Sequence, residues 1–309
     1  TLHLGNINDT SNWEEIGGDL INVGQADYYD VTSDGHNLTA MLVDTIKPSF
    51  VGKTVFSGWY NTPQTSVFTY TDINLKSDYL DPTCEILSEG LNQTCEISPN
   101  ICDEAGNCNI DPQISNGANT DWTSPNSIFV LPALSNNWSG AVTGTATDSA
   151  SGVTKVELII KNPNGVENTV DTSGTTNWSY TIPSPINGKY TILSRATDGA
   201  GNVQSELMEQ QIVLDTIAPK APKMIFVKDF GQKIWASWWP VFTAKSYRVY
   251  YGSKKNELIN TRETNNPFWV SDVLSPGKYY ISVTAIDEAG NESVRSKVVQ
   301  VKVDKKWKW

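Results

Sequence analysis

Histidine is nearly missing from this chain: two in 309 residues, alongside three Met and four Cys. That excludes a His-rich metal centre and leaves His-based acid–base schemes almost without candidates. Basic residues are also scarce, 23 Lys plus Arg against 34 Asp plus Glu. No run of about 18 apolar residues occurs, so no helix read from this sequence spans a bilayer. Long stretches in 3.6-residue register are hard to find. G-x-S-x-G, H-E-x-x-H and a phosphate-binding loop are all lacking. Thr1 opens without a basic and apolar leader, so any such segment is expected to have been removed or to lie outside this sequence.

What is present is short alternation. Val156–Ile160, Trp178–Ile182, Tyr247–Tyr251 and Tyr279–Val283 are rich in β-branched or aromatic residues and bounded by Gly, Pro, Asn or Asp. Many such segments at close spacing predict an all-β chain of small sandwiches. The nearest helical pattern, Glu206–Ile212, reads equally well as a strand.

A phrase recurs at domain-sized intervals: Asp103-Glu104-Ala105-Gly106-Asn107, Asp198-Gly199-Ala200-Gly201-Asn202 and Asp287-Glu288-Ala289-Gly290-Asn291, with a degenerate copy at Asp34-Gly35-His36-Asn37. Asp caps such a turn through its own backbone and Gly supplies a positive φ, so each copy predicts a tight hairpin. Repetition marks one unit copied in tandem. Val43-Asp44-Thr45-Ile46-Lys47-Pro48 and Leu214-Asp215-Thr216-Ile217-Ala218-Pro219 mark joints, and Ile110-Asp111-Pro112 is expected to be the equivalent joint between them. The expected domains are 1–44 (terminal strands of a partial unit), 45–111, 112–216 and 217–309.

Trp178–Ile182, Asn187–Thr191 and Arg195–Asn202 together resemble a bacterial Ig-like domain of large surface proteins, and Thr145–Asp148 with Ser151–Val153 is similar to an early strand and turn of that family. Residues 217–309 resemble a fibronectin type III domain in Trp238 with Pro240, Tyr247–Tyr250, Leu274–Tyr279 and Asn291–Ser293. The resemblance implies tandem Ig-like and fibronectin type III β-sandwiches arranged end to end. It also implies a non-enzymatic extracellular role as a stalk, surface-layer or filament segment. Expected partners are other copies of the chain or cell-surface polymers. The alternative is a carbohydrate-binding or spacer module of a secreted polysaccharide-degrading enzyme.

All four cysteines, Cys84, Cys95, Cys102 and Cys108, fall within the 45–111 unit. An even count in a small unit reads as disulfides in an oxidising compartment. Cys102 and Cys108 flank a hairpin, so their bridge is geometrically natural and Cys84–Cys95 would follow; the other connectivities stay open. A four-thiolate zinc site is the rival, without a C-x-x-C pair to favour it.

Charge is uneven. Residues 217–309 hold 16 basic against 8 acidic residues, and residues 1–216 hold 7 against 26. The acidic part excludes unaided binding to nucleic acid or an anionic membrane and attracts hard cations such as Ca²⁺. Candidate calcium ligands are the hairpin residues Asp103, Asn107, Asp198, Asn202, Asp287 and Asn291, the joint residues Asp44, Asp111 and Asp215, and Asp72 and Asp148 nearby. The competing reading is turn chemistry alone, in which these side chains bind only backbone and water. Eleven Trp invite sugar stacking, but Trp178 and Trp238 fit interiors by alternation. Trp59 and Trp138 open comparable strands, while Trp13, Trp235, Trp239 and Trp269 are unsettled. Lys305–Trp309 forms a basic aromatic tail.

Overall fold

The computed structural model describes residues 28–33, 38–43, 45–72, 75–76 and 78–305. Asp44, Trp13, the degenerate phrase at residues 34–37 and most of the basic tail therefore lie outside the described residues. Among the described residues every regular element is a strand, so the chain is all-β. Two compact units emerge: Thr1–Pro125 with Thr147–Thr154 and Thr197–Gln204, and Asn126–Ala146 with Lys155–Ala196 and Ser205–Trp309.

In the first unit, Tyr28–Ser33 and Leu38–Val43 form an antiparallel pair in register from Tyr28↔Val43 to Ser33↔Leu38. Gln64–Thr71 is the centre of a three-stranded sheet with Ser49–Lys53 and Thr83–Ile86 on either side. Its alternation buries Ser66, Phe68 and Tyr70 and exposes the residues between them. Phe68, Tyr70, Ile97 and Ile101 make the core, with Phe50, Leu75, Tyr79 and Cys84 against them. Two bridges staple this small core: Cys84–Cys95 with Cα atoms 5.9 Å apart, and Cys102–Cys108 at 4.1 Å. The second joins the strands Ile101–Cys102 and Cys108–Asn109 directly across their pair.

Pairing does not stop at the expected Ile110–Pro112 joint. Gln113–Ile114 pairs back with Glu96–Ile97, and Ala118–Thr120 lies between Trp59–Tyr60 and Gly90–Gln93. Asp111 itself makes an exposed 2.7 Å ion pair with Lys47. A Pro at position 112 does not end the ladder, because it precedes the first strand residue and needs to donate no hydrogen bond there.

Residues 126–214, which apart from Thr147–Thr154 and Thr197–Gln204 belong to the second unit, form two sheets. One has Ala141–Thr147 between Asn126–Phe129 and Asn177–Thr181. The other runs Leu134–Ser135, Met208–Leu214, Gly188–Asp198, Val153–Lys161, Glu167–Asp171. The ambiguous Glu206–Ile212 pattern thus becomes the strand Met208–Leu214. Trp178 is 2% exposed and opposes Gly144 across the strand pair. A Cβ at Gly144 would sit 2.2 Å from Trp178 Cζ2 and 2.4 Å from the Ile128 carbonyl, so only glycine lets the indole lie there.

Residues 224–303 form a three-plus-four sandwich. Ile234–Trp238 lies between Met224–Asp229 and Phe268–Val270; the facing order is Asn260–Thr264, Ser246–Gly252, Gly277–Ile286, Val299–Val303. Trp238 and Tyr247 meet edge to face at 5.2 Å in its core, with Ile234, Val249, Ile281 and Val283 fully enclosed. Each such side chain contributes roughly 1.5–3 kcal/mol by leaving water. The Tyr279 hydroxyl donates to the Ser275 carbonyl at 3.0 Å, the tyrosine-corner bond of such sandwiches. Trp269 is buried against Tyr251, whereas Trp235 and Trp239 face solvent.

Candidate functional site

The three repeated hairpins share the bonds between their Asp and Asn, although the Gly N–H bonds back to the Asp carbonyl in the first and third while the Ala200 N–H bonds the carboxylate in the second. In each, the Asp Oδ1 accepts the backbone N–H of the Asn four residues on, at 2.8 Å in all three. Its Oδ2 accepts the Asn side-chain amide, at 2.8 Å for Asp103 and Asp198 and 3.0 Å for Asp287. The Gly takes a φ near +90° at positions 106, 201 and 290. Asp103, Asp198 and Asp287 are buried. Both carboxylate oxygens are engaged by the turn itself, which accounts for these residue types without a ligand.

The joints carry a second regularity. Asp215 Oδ1 accepts the N–H of Ile217 at 3.0 Å, an Asx turn two residues before Ala-Pro. Asp121 does the same with Thr123 at 3.1 Å, two residues before Ser-Pro. Asp121 therefore stands where Asp215 stands, in Asp121-x-x-x-Pro125 against Asp215-x-x-x-Pro219 and Asp44-x-x-x-Pro48. Sequence reading missed it because Trp122-Thr123 replaces the Thr-Ile of the other joints; the spacing to proline was the available signal.

Of the eleven candidate calcium ligands, Asp148 and Asp198 come together, and they do so with Asp121. One carboxylate oxygen from each lies within 4.8 Å of the others. Asp121 and Asp198 are buried at 0% and 3% exposure. Backbone donors hold all three: Ser151 N–H on Asp121 Oδ2, Ala150 and Gly152 N–H on Asp148 Oδ2, Ala200 and Asn202 N–H on Asp198 Oδ1. Asp148 Oδ1 is enclosed and accepts no hydrogen bond among the described residues. Three hard oxygen donors with an unsatisfied lone pair suit a hard divalent cation in donor chemistry. Asp103 and Asp287 are engaged by their own hairpins, Asn291 reaches from its hairpin to the Asp215 carbonyl, Asp111 pairs with Lys47, and none of these, nor Asp72 or Asp215, joins such a cluster among the described residues.

On the outer face of the C-terminal four-stranded sheet, Glu292 collects the hydroxyls of Tyr250 and Thr284 and the Arg248 guanidinium, which also bonds Glu263. Arg295 lies over the Tyr250 ring at 3.9 Å. Burial pushes the Glu292 carboxyl up, but the Thr284 and Tyr250 hydroxyls and Arg248 outweigh it and hold it below the usual carboxylate range. On the opposite sheet Trp235 and Phe268 stack at 6.0 Å, both about two-fifths exposed.

Residues 110–216 match the family described as bacterial Ig-like domain. An amylopullulanase of Thermoanaerobacterium thermosulfurigenes is 34% identical over 82 residues, 26% of this chain and 4% of that protein. The chain thus spans about one twenty-fifth of the length of that curated relative. Among solved structures, the FN1-FN3 domains of chicken CNTN1 are 15% identical, with 84% of this chain and 99% of that chain covered at a TM-score of 0.39. The fibronectin(III)-like modules of Clostridium thermocellum CbhA are 18% identical, covering 58% of this chain and 94% of that one at 0.35.

Proposed function

We propose that this chain is a non-enzymatic structural and adhesive segment of a bacterial surface protein, a stalk, surface-layer or filament component working outside the cell. The observation that carries the reading is the thrice-repeated hairpin, alike in its Asp–Asn hydrogen bonds at Asp103, Asp198 and Asp287. Repeating one small β module yields length and mechanical resistance rather than a cleft. Two disulfides beside the small core around Phe68 and Tyr70 support an oxidising, extracellular setting. Its partners are then other copies of itself or cell-surface polymers.

The amylopullulanase likeness favours a second reading, in which these modules space or anchor the catalytic part of a secreted polysaccharide-degrading enzyme. Single-molecule extension of the chain tests the first. Separate unfolding events are expected, about 30 nm for each cysteine-free module of about 90 residues at roughly 3.4 Å per residue and less for the disulfide-bridged one. One all-or-none event would overturn it. Retention on an insoluble storage polysaccharide in the same buffer, with none on cell-surface polymer, would favour the second reading.

We further propose Asp121, Asp148 and Asp198 as the place where this chain takes up Ca²⁺. Asp198 is engaged by its own Asn just as Asp103 and Asp287 are, and what supports that choice is the enclosed, unsatisfied Asp148 Oδ1 beside it, which the other two hairpins lack among the described residues. Its role would be to tie the joint aspartate to two loops.

A further inference from the structure

We infer that the joint at Asp215–Thr216 is a rigid coupling made by two asparagine side chains, Asn187 from the module before it and Asn291 from the module after it. The inference deepens the stalk reading by assigning where stiffness resides.

From upstream, the Ser135 carbonyl accepts the Asp215 N–H at 2.9 Å, and Asn187 Oδ1 accepts both the N–H and the hydroxyl of Thr216, each at 3.0 Å. From downstream, Asn291 Nδ2 donates to the Asp215 carbonyl at 2.7 Å. The second amide proton of Asn291 is held by Asp287 Oδ2 at 3.0 Å, and Asp287 is anchored by the Asn291 N–H. An amide with both protons committed cannot turn without breaking both bonds. Asp215 is therefore gripped from both sides and Thr216 from upstream. The modules also approach directly: a Cβ on Gly290 would lie 3.5 Å from Asn136 Nδ2.

The pattern recurs around Asp121. Its N–H donates to the Tyr60 carbonyl at 2.8 Å and its carbonyl accepts Asn202 Nδ2 at 2.7 Å. Glu89 takes the place of Asn187, accepting the Trp122 N–H at 2.6 Å and the Thr123 hydroxyl at 2.8 Å. Two joints with different intervening residues make the same grip, so the Asp-x-x-x-Pro and D-x-A-G-N phrases work as a matched pair. A proline alone fixes one φ and leaves the rest of a linker free. Modules joined without a large apolar interface move relative to each other by default, and the asparagine grip is what removes that freedom.

The test is a spin-label distance measurement on the full chain carrying Lys161→Cys and Lys254→Cys, both exposed and on opposite sides of the joint. All native cysteines are bridged and will not take label. The parent should give one narrow distribution, unchanged by EDTA. Asn187→Ala and Asn291→Ala should each broaden it about twofold, with the melting of the flanking sandwiches little altered for Asn187→Ala. Asn187 sits in an exposed loop outside both cores, so that variant decides the matter even if Asn291→Ala disrupts its hairpin. A parent distribution already as broad as the variant's, or no broadening with Asn187→Ala, would overturn the inference. Broadening by EDTA would do so too, since a cation would then hold the joint. The distances report on the joint whether or not the chain proves to be a stalk.

Discussion

Glu292 shows how much one exposed-face carboxylate can organise. It accepts Thr284 at 2.6 Å together with Tyr250 and Arg248, and these partners keep it ionised below the usual range despite partial burial. A depressed carboxyl stabilises the fold fully above its unfolded pKa, near 4.3, and the contribution is lost as pH falls through the lower folded value. Arg248 stays charged throughout, its guanidinium pushed up first by Glu263 and then by Tyr250. The C-terminal sandwich should therefore lose stability as pH falls from the unfolded value toward and through the lower folded one, and Glu292→Gln should flatten that slope while costing about 1–3 kcal/mol at pH 7. Thermal melts across that range, read with the sandwich's Trp238 environment, check it. Equal slopes for parent and variant would remove Glu292 from the account. Nothing in the linear sequence joins Arg248, Glu263, Thr284 and Glu292, because the cluster exists only through the register Arg248↔Glu263 and Arg248↔Thr284. By contrast Trp178 and Trp238 were legible from alternation alone, since a period of two fixes which side faces in. Trp269 was not, because its burial depends on Tyr251 from the facing sheet.

At the scale of elements, the hairpins were fully legible: Asp, Gly and Asn at fixed offsets dictate the turn, and three copies obey. The joints were half legible. Proline marked them: Ile110–Pro112 stands where the bacterial Ig-like match begins, although strands continue to pair beyond it, and Asp121–Pro125 carries the hydrogen-bond pattern of a joint. Local residue types could not separate the two, because the difference lies in what the carbonyl and carboxylate of one aspartate meet. The disulfides act at this scale as well. Cys84 packs on the core around Phe68 and Tyr70, and Cys102–Cys108 closes the hairpin that holds buried Asp103. Loops separated by 11 and 6 residues in sequence should each contribute about 2–3 kcal/mol through the unfolded chain. Reduction, or paired Cys→Ser replacement, should speed hydrogen exchange across residues 49–120 and leave residues 224–303 unchanged. Loss of protection in the cysteine-free sandwich would show that the staples act on more than their own core.

For the whole molecule the open chemistry is the net charge of −11 and its concentration in the first two thirds of the chain. Self-repulsion of that kind weakens a compact state and is relieved by counter-ions or by a bound cation. The two explanations differ in stoichiometry and in sequence dependence. If Ca²⁺ binds at Asp121, Asp148 and Asp198, the melting transition of the elements carrying those residues should rise saturably with Ca²⁺ against a constant background of NaCl. Occupancy at about 100 times the dissociation constant contributes about 2.7 kcal/mol. Asp148→Asn should abolish the rise, and it leaves the hairpin carboxylate of Asp198 and the Asx turn of Asp121 in place. Without Ca²⁺ the same variant should be no less stable than the parent, because it removes one of three crowded negative charges. Screening predicts the reverse pattern: NaCl alone would reproduce the shift, Mg²⁺ would match Ca²⁺, and Asp148→Asn would change nothing but a small offset. A Ca²⁺ response that survives Asp148→Asn intact would locate the cation elsewhere, and the buried Asp148 oxygen would then be a cost of the fold rather than a ligand.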